Sequence, residues 1–397
     1  MFDLDDSRTA KEKCILIGVA AGKIRIHQAE DYIAELRRLA DTAEAEVIET
    51  IIQRMPKYNA STLVGSGKLE EIRQRCEITE AKLVIFDDDL SGSQAKNIEA
   101  VLKNVKVLDR SALILDIFSK HARTRESKIM VEIAQMEYTM PRLTNMWTHL
   151  SRQVGGIGMR GPGESQLETD KRLVRARISD LKKQLKKIER DRQAQADKRN
   201  VTFHIATVGY TNAGKSTLTN RLTNAGVLVA DKLFATLDST TRKLFLSHEC
   251  EVVVSDTVGF IRKLPHHLVA TFRSTLSVVA EADLVMHVLD ASAHDYTEHL
   301  DVTNEVLSGM INETIPKLLV LNKCDTLTEE ELVEFKEKFP DAVCISATEN
   351  TGIDELKHRL VKESDTWKAK QLVGERNIEK ERKKPWAARE DDWSKIK

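Results

Sequence analysis

The feature that most constrains this chain is an eight-residue segment at positions 209–216, Gly-Tyr-Thr-Asn-Ala-Gly-Lys-Ser. It follows the β-branched, apolar residues 202–208 and precedes a helical pattern with Leu218 and Leu222 on one face. The segment matches G-x-x-x-x-G-K-S/T in the strand–loop–helix setting that this pattern requires. Its glycines allow backbone N–H groups to surround phosphate oxygens at a helix N-terminus. The sequence therefore predicts a phosphate-binding loop whose lysine reaches the β- and γ-phosphates and whose serine binds Mg²⁺.

A second motif, D-x-x-G, begins at Asp256, directly after the apolar residues 252–255. An acid at the end of a strand beside a phosphate loop is expected to hold Mg²⁺ through water. Gly259 at the end of the motif can offer its N–H to the γ-phosphate. The motif is weak evidence alone, but its distance from the phosphate loop makes it a specific prediction.

A third motif, Asn-Lys-Cys-Asp, follows the apolar residues 318–321. The Asp325 carboxylate can accept from both the ring N–H and the exocyclic amine of guanine, whereas adenine presents the opposite pattern and would leave the acid unpaired. N-K-x-D resembles the guanine-specificity motif of the GTPase superfamily. Ser346-Ala347 resembles the last loop of that superfamily, and the resemblance implies contact with the guanine oxygen.

Residues 233–242 resemble the first switch segment of Obg-like and HflX-like GTPases. The resemblance implies that Thr236 closes on Mg²⁺ and the γ-phosphate, with Thr240 and Thr241 as rival candidates. Phe260 stands where many small GTPases carry a glutamine that orients the attacking water. Because a phenyl ring cannot hydrogen-bond water, we predict slow intrinsic hydrolysis that a partner or an ion stimulates.

Asn212 gives the phosphate loop the form G-x-x-N-x-G-K-S. This form resembles that of GTPases that bind K⁺ beside the phosphates, where a monovalent ion can stabilise transition-state charge. The alternative is that Asn212 hydrogen-bonds the switch backbone. The candidate cofactors are therefore Mg²⁺ and, near Asn212, K⁺.

These motifs together define a candidate site for GTP and GDP. Its predicted nucleotide-binding residues are Gly209, Tyr210, Thr211, Asn212, Ala213, Gly214, Lys215, Ser216, Thr217, Phe234, Ala235, Thr236, Asp256, Thr257, Val258, Gly259, Asn322, Lys323, Asp325, Ser346 and Ala347. The predicted catalytic residues are Lys215, Thr236 and Gly259, and the predicted Mg²⁺ ligands are Ser216, Thr236 and Asp256.

Residues 13–110 alternate between strand and helix patterns, which predicts a parallel sheet with helical crossovers. The predicted strands are 14–19, 47–53, 82–86 and 105–108, and the predicted helices are 29–42, 68–76 and 94–102. Three consecutive acids from Asp87 to Asp89 end the third strand. They could hold a metal or a second nucleotide, or form a solvated turn.

Between residues 111 and 200 the apolar residues recur in steps of three and four, which is a heptad pattern. The first seam comprises Ile129, Ile133, Met136, Met140, Leu143, Trp147 and Leu150, and the second comprises Val174, Ile178, Leu181, Leu185 and Ile188. Two such helices predict an antiparallel coiled-coil hairpin. The joining loop at 151–165 is rich in glycine, and we expect it at the tip of the hairpin.

The formal net charge is −1, but residues 166–199 contain twelve Lys or Arg against six Asp or Glu. Because the apolar seam of this helix is already occupied, basic side chains must face outwards, where they can neutralise RNA phosphates. The predicted RNA contacts are Arg152, Arg160, Lys171, Arg172 and Arg175. The alternative is a basic coiled coil that water solvates; no DNA partner is expected.

The five cysteines are scattered without a C-x-x-C pair, which favours a reducing cytosol. The first residues are charged and unlike a secretory signal. No apolar run approaches the roughly 18 residues of a membrane span. We therefore expect a cytoplasmic monomer, with peripheral membrane association left open.

The motifs, the hairpin and the segment 160–172, Arg-Gly-Pro-Gly-Glu-Ser-Gln-Leu-Glu-Thr-Asp-Lys-Arg, together resemble the HflX family of ribosome-associated GTPases. The resemblance covers roughly residues 13–360, and Ser239 departs from it, since the family commonly has proline there. It implies an α/β fold in which a P-loop GTPase domain, with a mostly parallel sheet and helices on both faces, follows a smaller α/β domain and the hairpin. The expected domains are 1–112, 113–199 and 200–361, with a charged tail at 362–397.

The resemblance also implies a function. It implies a Mg²⁺-dependent GTPase that binds the large ribosomal subunit and acts in ribosome splitting, rescue or recycling under stress. The alternatives are a GTP-regulated RNA-binding scaffold or ribosome-assembly factor in which hydrolysis only resets the switch, and a regulatory protein whose hairpin clasps another coiled coil. The sequence leaves open whether the N-terminal domain binds ATP or another ligand.

Overall fold

The structure is a computed structural model in which the chain forms two compact units, Met1–Lys186 and Lys187–Lys397. The described residues are 11–146, 162–196, 202–223, 232–234, 237–247, 250–263, 278–309 and 314–372. Several predicted features lie outside these ranges, namely Arg152, Arg160, Ala235, Thr236, the loop up to residue 161 and the tail after residue 372.

The first unit contains a four-stranded, fully parallel sheet in the order β2-β1-β3-β4. Its strands are β1 (Lys13–Ala21), β2 (Glu46–Met55), β3 (Leu83–Phe86) and β4 (Lys106–Asp109). The helices are α1 (Ile26–Thr42), α2 (Ser66–Thr79), α3 (Gly92–Leu102) and α4 (Arg110–His121). The predicted parallel sheet with helical crossovers is confirmed.

The central strand β1 is buried along nearly its whole length, which explains its continuous apolar sequence. Ile15 and Ile17 pack in one cluster with Ile72 of α2 and Ile98 of α3. Helix α1 packs along the same strand and contributes the fully buried Leu36. The strand is therefore central to the core of this unit.

The acids that follow β3 are engaged by side chains of the same unit. Asp87 is 3% exposed and accepts a hydrogen bond from Arg110 Nη1 at 2.7 Å, and Arg110 also pairs with the buried Glu35. Asp89 accepts a hydrogen bond from the Ser111 hydroxyl. Asp87 therefore lies in a buried ion pair rather than in a solvated turn. Within the described ranges, no three acidic, histidine or cysteine side chains are grouped to hold a metal.

Two long helices follow, α5 (Arg125–Met146) and α6 (Pro162–Ala196), and the division between the compact units falls within α6. Three side-chain pairs join them: Arg177 with Glu132, Arg125 with Gln184, and Lys182 with Glu137. The first two pairs follow an antiparallel order, as a hairpin requires, whereas the third lies outside that register. The seam residues Ile129, Ile133, Ile178 and Leu181 are buried.

The second unit contains a six-stranded sheet in the order β10-β9-β8-β5-β7-β6. Its strands are β5 (His204–Val208), β6 (Thr240–Ser247), β7 (Cys250–Asp256), β8 (Leu284–Asp290), β9 (Lys317–Asn322) and β10 (Val343–Cys344). The helices are α7 (Lys215–Thr223), α8 (Tyr296–Ser308), α9 (Glu329–Lys338) and α10 (Ile353–Leu372). All neighbouring strands are parallel except β6, which runs antiparallel to β7.

Helices cover both faces of this sheet. Along β8, Met286 and Val288 pack in a cluster with residues of α7 and α10, whereas Val285 packs with Leu307 of α8. Since successive side chains of a strand point to opposite faces, the two clusters lie on opposite sides. The predicted mostly parallel sheet with helices on both faces is confirmed. Its carboxyl edge carries the loops after β5, β7, β9 and β10, where ligands of such sheets bind.

Helix α10 continues beyond residue 361 to Leu372. Trp367, on this extension, packs against the core cluster, and its Nε1 donates a hydrogen bond to Asp283 Oδ1 at 2.9 Å. Residues 362–372 therefore extend a helix of the second unit. In the part of the chain that the structure describes, every helix is too short or too polar to span a bilayer.

Candidate nucleotide-binding site

The loop between β5 and α7 has a backbone that only glycine fits at two positions. Gly209 has φ 149°, and a Cβ there would lie 2.1 Å from the carbonyl oxygen of Val288. Gly214 has φ 90°, and its Cβ would lie 2.2 Å from Asn322 Nδ2. Asn212 adopts the left-handed region at φ 61°, which asparagine tolerates better than most residues. The glycines of the motif are thus explained by close backbone approach.

Lys215 is the first residue of α7 and is 6% exposed. Its Nζ donates hydrogen bonds to the carbonyl oxygens of Gly209 at 3.1 Å and Tyr210 at 2.7 Å. Burial lowers the pKa of Lys215 to about 8, an effect that the charge of Asp256 opposes. The ammonium group is therefore held against the inside of the loop, within reach of a bound phosphate.

The acid of the D-x-x-G motif contacts the helix that follows the phosphate loop. Ser216 Oγ donates a hydrogen bond to Asp256 Oδ2 at 2.6 Å. Asp256 is 3% exposed, and burial raises its pKa, although the Ser216 hydroxyl and Lys215 oppose that shift. Its other oxygen, Oδ1, is buried and has no hydrogen-bond partner among the described residues. A serine hydroxyl beside such a carboxylate is an oxygen donor set of the kind that Mg²⁺ prefers, so the residues fit this ion.

The segment after Asp256 is bonded directly to the phosphate loop. Phe260 N donates to Gly209 O at 3.1 Å, and Thr211 N donates to Phe260 O at 2.7 Å. A Cβ at Gly259 would lie 2.7 Å from Thr211 Cα and 2.9 Å from Lys215 Nζ, so no side chain fits there. The Phe260 ring is 3% exposed and belongs to the hydrophobic core.

The end of the site predicted to bind the base is connected to the phosphate loop by one side chain. Asn322 Nδ2 donates to Ala213 O at 2.9 Å, and Asn322 Oδ1 accepts from Ala347 N at 3.1 Å. The buried Asn322 thus joins three loops. Asp325 lies in the short 3₁₀ turn Cys324–Thr326 and is exposed, with its carboxylate available to a ligand.

The last loop has its own internal and external contacts. The buried Ser346 accepts a hydrogen bond from Glu349 N at 3.1 Å through its Oγ. Arg221 of α7 donates to Ala347 O at 3.0 Å and to Thr348 O at 2.8 Å. These bonds fix the loop that carries the Ala347 N–H against the helix of the phosphate loop.

The remaining predicted nucleotide contacts are placed as follows. Phe234 is buried at φ 57°, and its N–H donates to Thr211 Oγ1 at 3.2 Å. Thr257 and Val258 are buried beside Asp256, and the Thr257 hydroxyl donates to Thr207 O at 2.7 Å. Thr217 lies in α7.

The rival residues for the first switch threonine begin β6. The Thr241 hydroxyl shares a 2.7 Å hydrogen bond with Ser255 Oγ, so it already has a partner in the sheet. Thr240 is exposed and lies opposite Asp256 in the strand register. Thr236 itself lies outside the described residues.

Sequence reasoning missed several residues that support these loops. Arg221 has no motif that distinguishes it from any other helical arginine. Asp290 was also missed: its Oδ2 pairs at 2.6 Å with Nζ of the predicted residue Lys323, which adopts φ 64°. The only sequence signal for Asp290 is its position at the end of an apolar strand.

A second missed group lies beside the phosphate loop. The Tyr210 ring stacks on His299 with centroids 3.7 Å apart, and the Tyr210 hydroxyl accepts from Arg262 N at 2.9 Å. The Arg262 guanidinium pairs with Asp295 at 2.7 Å and Glu298 at 2.9 Å. These contacts connect the phosphate loop to the segment after D-x-x-G and to the start of α8.

A six-stranded sheet of this order, with the three motif loops at its carboxyl edge, defines the class of P-loop GTPases. Three family models match the chain: GTP-binding GTPase N-terminal over residues 30–119, GTP-binding GTPase Middle Region over 121–199, and 50S ribosome-binding GTPase over 204–323. The chain belongs to the HflX family of GTPases.

Two relatives illustrate that membership. GTPase HflX of Alkalihalophilus pseudofirmus is 46% identical over 351 residues, covering 88% of this chain and 82% of the relative. GTPase HflX of Escherichia coli is 42% identical over 361 residues, covering 90% of this chain and 83% of the relative. The crystal structure of SsGBP in complex with GDP, 24% identical, covers 90% of this chain and 99% of that chain with a TM-score of 0.50, and it shows the same fold.

Proposed function

We propose that this protein is a Mg²⁺-dependent GTP hydrolase that binds the large ribosomal subunit and separates or rescues ribosomes. Membership in the HflX family and the match to a 50S ribosome-binding GTPase support the class of function. The observation that carries the nucleotide part is the double hydrogen bond of Asn322 to Ala213 and Ala347. It makes the phosphate loop, the N-K-x-D turn and the last loop one connected site.

At the phosphate end, the backbone N–H groups of residues 209–216 surround the β- and γ-phosphates. Lys215 exchanges its two carbonyl acceptors for phosphate oxygens, which are stronger partners because they are charged. The glycine at 259 brings its N–H towards the γ-phosphate, since no side chain intervenes. These groups bind and orient the triphosphate.

The residues that would hold Mg²⁺ are Ser216 through its hydroxyl, Asp256, and the predicted switch residue Thr236, which lies outside the described residues. The buried Asp256 Oδ1, which lacks a partner among the described residues, supports this assignment. When bound, the ion neutralises charge that develops on the β- and γ-phosphate oxygens. The chain's own residues hold its ligands in place through the 2.6 Å contact between Ser216 and Asp256.

At the base end, the exposed Asp325 carboxylate accepts from the ring N–H and the amine of guanine. The Ala347 N–H, which Asn322 and Arg221 position, faces the guanine oxygen. Asn322 and Lys323 act by positioning: the former bridges the loops, and the latter pairs with Asp290.

We expect slow hydrolysis without a partner, because Phe260, the residue directly after D-x-x-G, cannot orient water. The Phe260 ring belongs to the core and has no hydrogen-bonding atom. The ribosome, or a K⁺ ion beside Asn212, supplies the missing element. Among the described residues, the side-chain amide of Asn212 has no hydrogen-bond partner that would compete with an ion.

The first half of α6, which carries Lys171, Arg172 and Arg175, contacts the large ribosomal subunit in this proposal, together with Arg152 and Arg160, which lie outside the described residues. Arg172 and Arg175 are exposed, and neither pairs with an acid in the described part of the chain. Lys171 is half-buried on the same turn. By contrast, Lys183 further along the helix pairs with Asp180 at 3.4 Å. Unpaired arginines are the side chains best suited to bind rRNA phosphates.

Sedimentation with purified ribosomes tests this function. With a non-hydrolysable GTP analogue, the protein should sediment with the large subunit, and intact ribosomes should separate into subunits. Reversing the charge of Arg172 and Arg175 should weaken this association at least about tenfold, because two phosphate contacts are lost. The matched control is Lys183→Glu, which should change it less than twofold. RNA binding without subunit separation would instead identify a scaffold, and no association with either subunit would refute the ribosomal role.

A further inference from the structure

Two cysteines lie next to each other at the base end of the site. Cys324 is the third residue of the N-K-C-D motif, and Cys344 is the last residue of β10. Cys344 pairs with Leu321 in the strand register, and Cys324 N donates to Ile345 O at 3.1 Å, so the two segments run side by side. Both cysteines are half-buried and pack against the same apolar cluster, which includes Phe335 of α9.

The Cys324 thiol donates a hydrogen bond to Leu321 O at 3.2 Å, and Leu321 is the residue that pairs with Cys344 in the strand register. The neighbouring Cys324 side chain lowers the pKa of Cys344 to about 7, and Lys336 adds to the effect, while burial and Glu355 oppose it. The Cys344 side chain, together with burial, raises the pKa of Cys324 above its ordinary value. The lowered pKa favours the thiolate of Cys344, which is the reactive form of a cysteine.

The other three cysteines of the chain, unlike this pair, are buried. Burial raises the pKa of both Cys14 and Cys76 to about 11, which keeps them protonated. Cys250 is buried, and its thiol donates to Ser364 Oγ at 3.6 Å. Reactivity towards oxidants should therefore concentrate on the pair at the base end of the site.

We propose that Cys324 and Cys344 form an oxidation site, and that a disulfide between them weakens guanine-nucleotide binding. The proposal rests on the function proposed for Asn322 and Asp325. Under this proposal, oxidation of the two cysteines makes nucleotide binding sensitive to oxidising conditions.

The reaction needs a peroxide and no other co-reactant. The Cys344 thiolate attacks one oxygen of hydrogen peroxide, the O–O bond breaks, and the released hydroxide takes a proton to leave as water, which gives a sulfenic acid. The Cys324 sulfur then attacks the Cys344 sulfur, an S–S bond forms, the S–O bond breaks, and the hydroxyl leaves as a second water with the Cys324 proton. Two thiols lose two electrons in total, and one peroxide is reduced to two waters.

The disulfide would alter the turn that carries Asp325. An S–S bond of about 2.05 Å fixes the separation and direction of both side chains. Cys324 begins the 3₁₀ turn, directly between Lys323, which is held at φ 64°, and Asp325. Drawing Cys324 towards β10 therefore rotates the Asp325 carboxylate away from the base. It also disturbs Asn322, which carries hydrogen bonds to two other loops.

The experiment uses the reduced, full-length protein freed of nucleotide. It is treated with hydrogen peroxide, the disulfides are mapped by mass spectrometry, and GDP affinity is measured with a fluorescent GDP before and after dithiothreitol. We expect a 324–344 disulfide, an affinity at least about tenfold weaker, and full recovery on reduction. Cys344→Ser and Cys324→Ser should each retain affinity after peroxide, whereas Cys250→Ser should remain as sensitive as the parent.

The outcomes separate this inference from the proposed function. If reduced protein binds GDP and peroxide produces no 324–344 disulfide, the oxidation site is refuted. If the disulfide forms and affinity changes less than twofold, its effect on nucleotide binding is refuted. If the reduced protein does not bind GDP, the proposed function fails, together with the effect on binding, while the disulfide map still decides whether the thiol pair reacts. Circular dichroism of both serine variants checks that they fold.

Discussion

In each unit of this protein a strand of the sheet ends in a buried aspartate, yet the two aspartates differ in their partners. Asp109, at the end of β4, accepts four hydrogen bonds, from Leu90 N, Ala112 N, the Tyr138 hydroxyl and Arg142. Asp256, at the end of β7, accepts from Ser216 through one oxygen and leaves the other without a partner in the described structure. A strand-end acid is thus structural where its oxygens are satisfied, and is available to a ligand where one is not.

The largest effect is expected from Lys215→Ala, which removes the only charged side chain that donates into the phosphate loop among the described residues. GTP hydrolysis should fall about 1000-fold, because a positive charge at the transferred phosphate is lost. Single-turnover hydrolysis measures this effect. A rate within tenfold of the parent would show that the loop does not hold the phosphates as proposed.

Asp256→Asn tests the acid that has an oxygen without a partner. Hydrolysis should fall about 100-fold, because the carboxylate proposed to hold Mg²⁺ through water is replaced by a neutral amide. The free energy of unfolding should change little. A titration of activity with Mg²⁺ should show a higher requirement in the variant, and an unchanged requirement would contradict the assignment.

Asp109→Asn is the counterpart in the first unit. It should lower the free energy of unfolding of that unit by about 2 kcal/mol, since one acceptor becomes a donor and Arg142 loses its charged partner. GDP affinity should stay within twofold of the parent. Urea denaturation and nucleotide titration should be carried out on both Asp109→Asn and Asp256→Asn. The distinction between the two aspartates is contradicted if both variants lose stability or if both lose nucleotide binding.

Asp325→Asn should reduce GDP affinity about 30-fold, since hydrogen bonds to a charged group contribute about 2 kcal/mol. Because the amide can donate where the acid could only accept, the ratio of GDP affinity to xanthosine diphosphate affinity should decrease. Xanthosine diphosphate, which has an oxygen in place of the guanine amine, serves as the control ligand. It should gain affinity in the variant, and parallel loss of both ligands would contradict direct recognition of the base.

The smallest effect is expected from Arg221→Ala, which removes two hydrogen bonds to the last loop. GDP affinity should fall about fivefold, because the loop loses roughly 1 kcal/mol of support without losing a nucleotide contact. Lys357→Ala on α10 is a surface control and should change nothing. Stopped-flow measurement should place the change in the dissociation rate.

The sequence predicted the sheets and the motif loops because a few residue types are required there by local geometry. Gly209 and Gly214 have no alternative, given their φ angles and the atoms that face them, the Val288 carbonyl oxygen and the Asn322 side-chain amide. Apolar strand segments alternate with helical patterns along the chain, and this alternation predicts a sheet in each unit. The motif residues are contiguous in the chain, so a single sequence shows the motif, although the atoms that exclude a Cβ at these glycines belong to Val288 and Asn322.

Contacts that join distant segments could not be predicted in the same way. Arg221 and Ala347 are far apart in the chain, as are Glu35 and Arg110, and no sequence pattern predicts either contact. The sequence left a metal site, a nucleotide site and a solvated turn open for Asp87, and it did not show that the Arg110 guanidinium makes burial of this acid possible. The roles of Thr236, Arg152 and Arg160 stay predictions, and so do the positions of the domain boundaries.

The central claim is that this site selects a guanine nucleotide with Mg²⁺. Calorimetric titration of the reduced, nucleotide-free protein with GDP and with ADP, each with and without Mg²⁺, measures that claim directly. The account predicts GDP binding at least about 100-fold tighter than ADP binding, together with tighter binding of a GTP analogue when Mg²⁺ is present. Equal affinities for the two purines, or binding that is indifferent to Mg²⁺ with the triphosphate analogue, would contradict it.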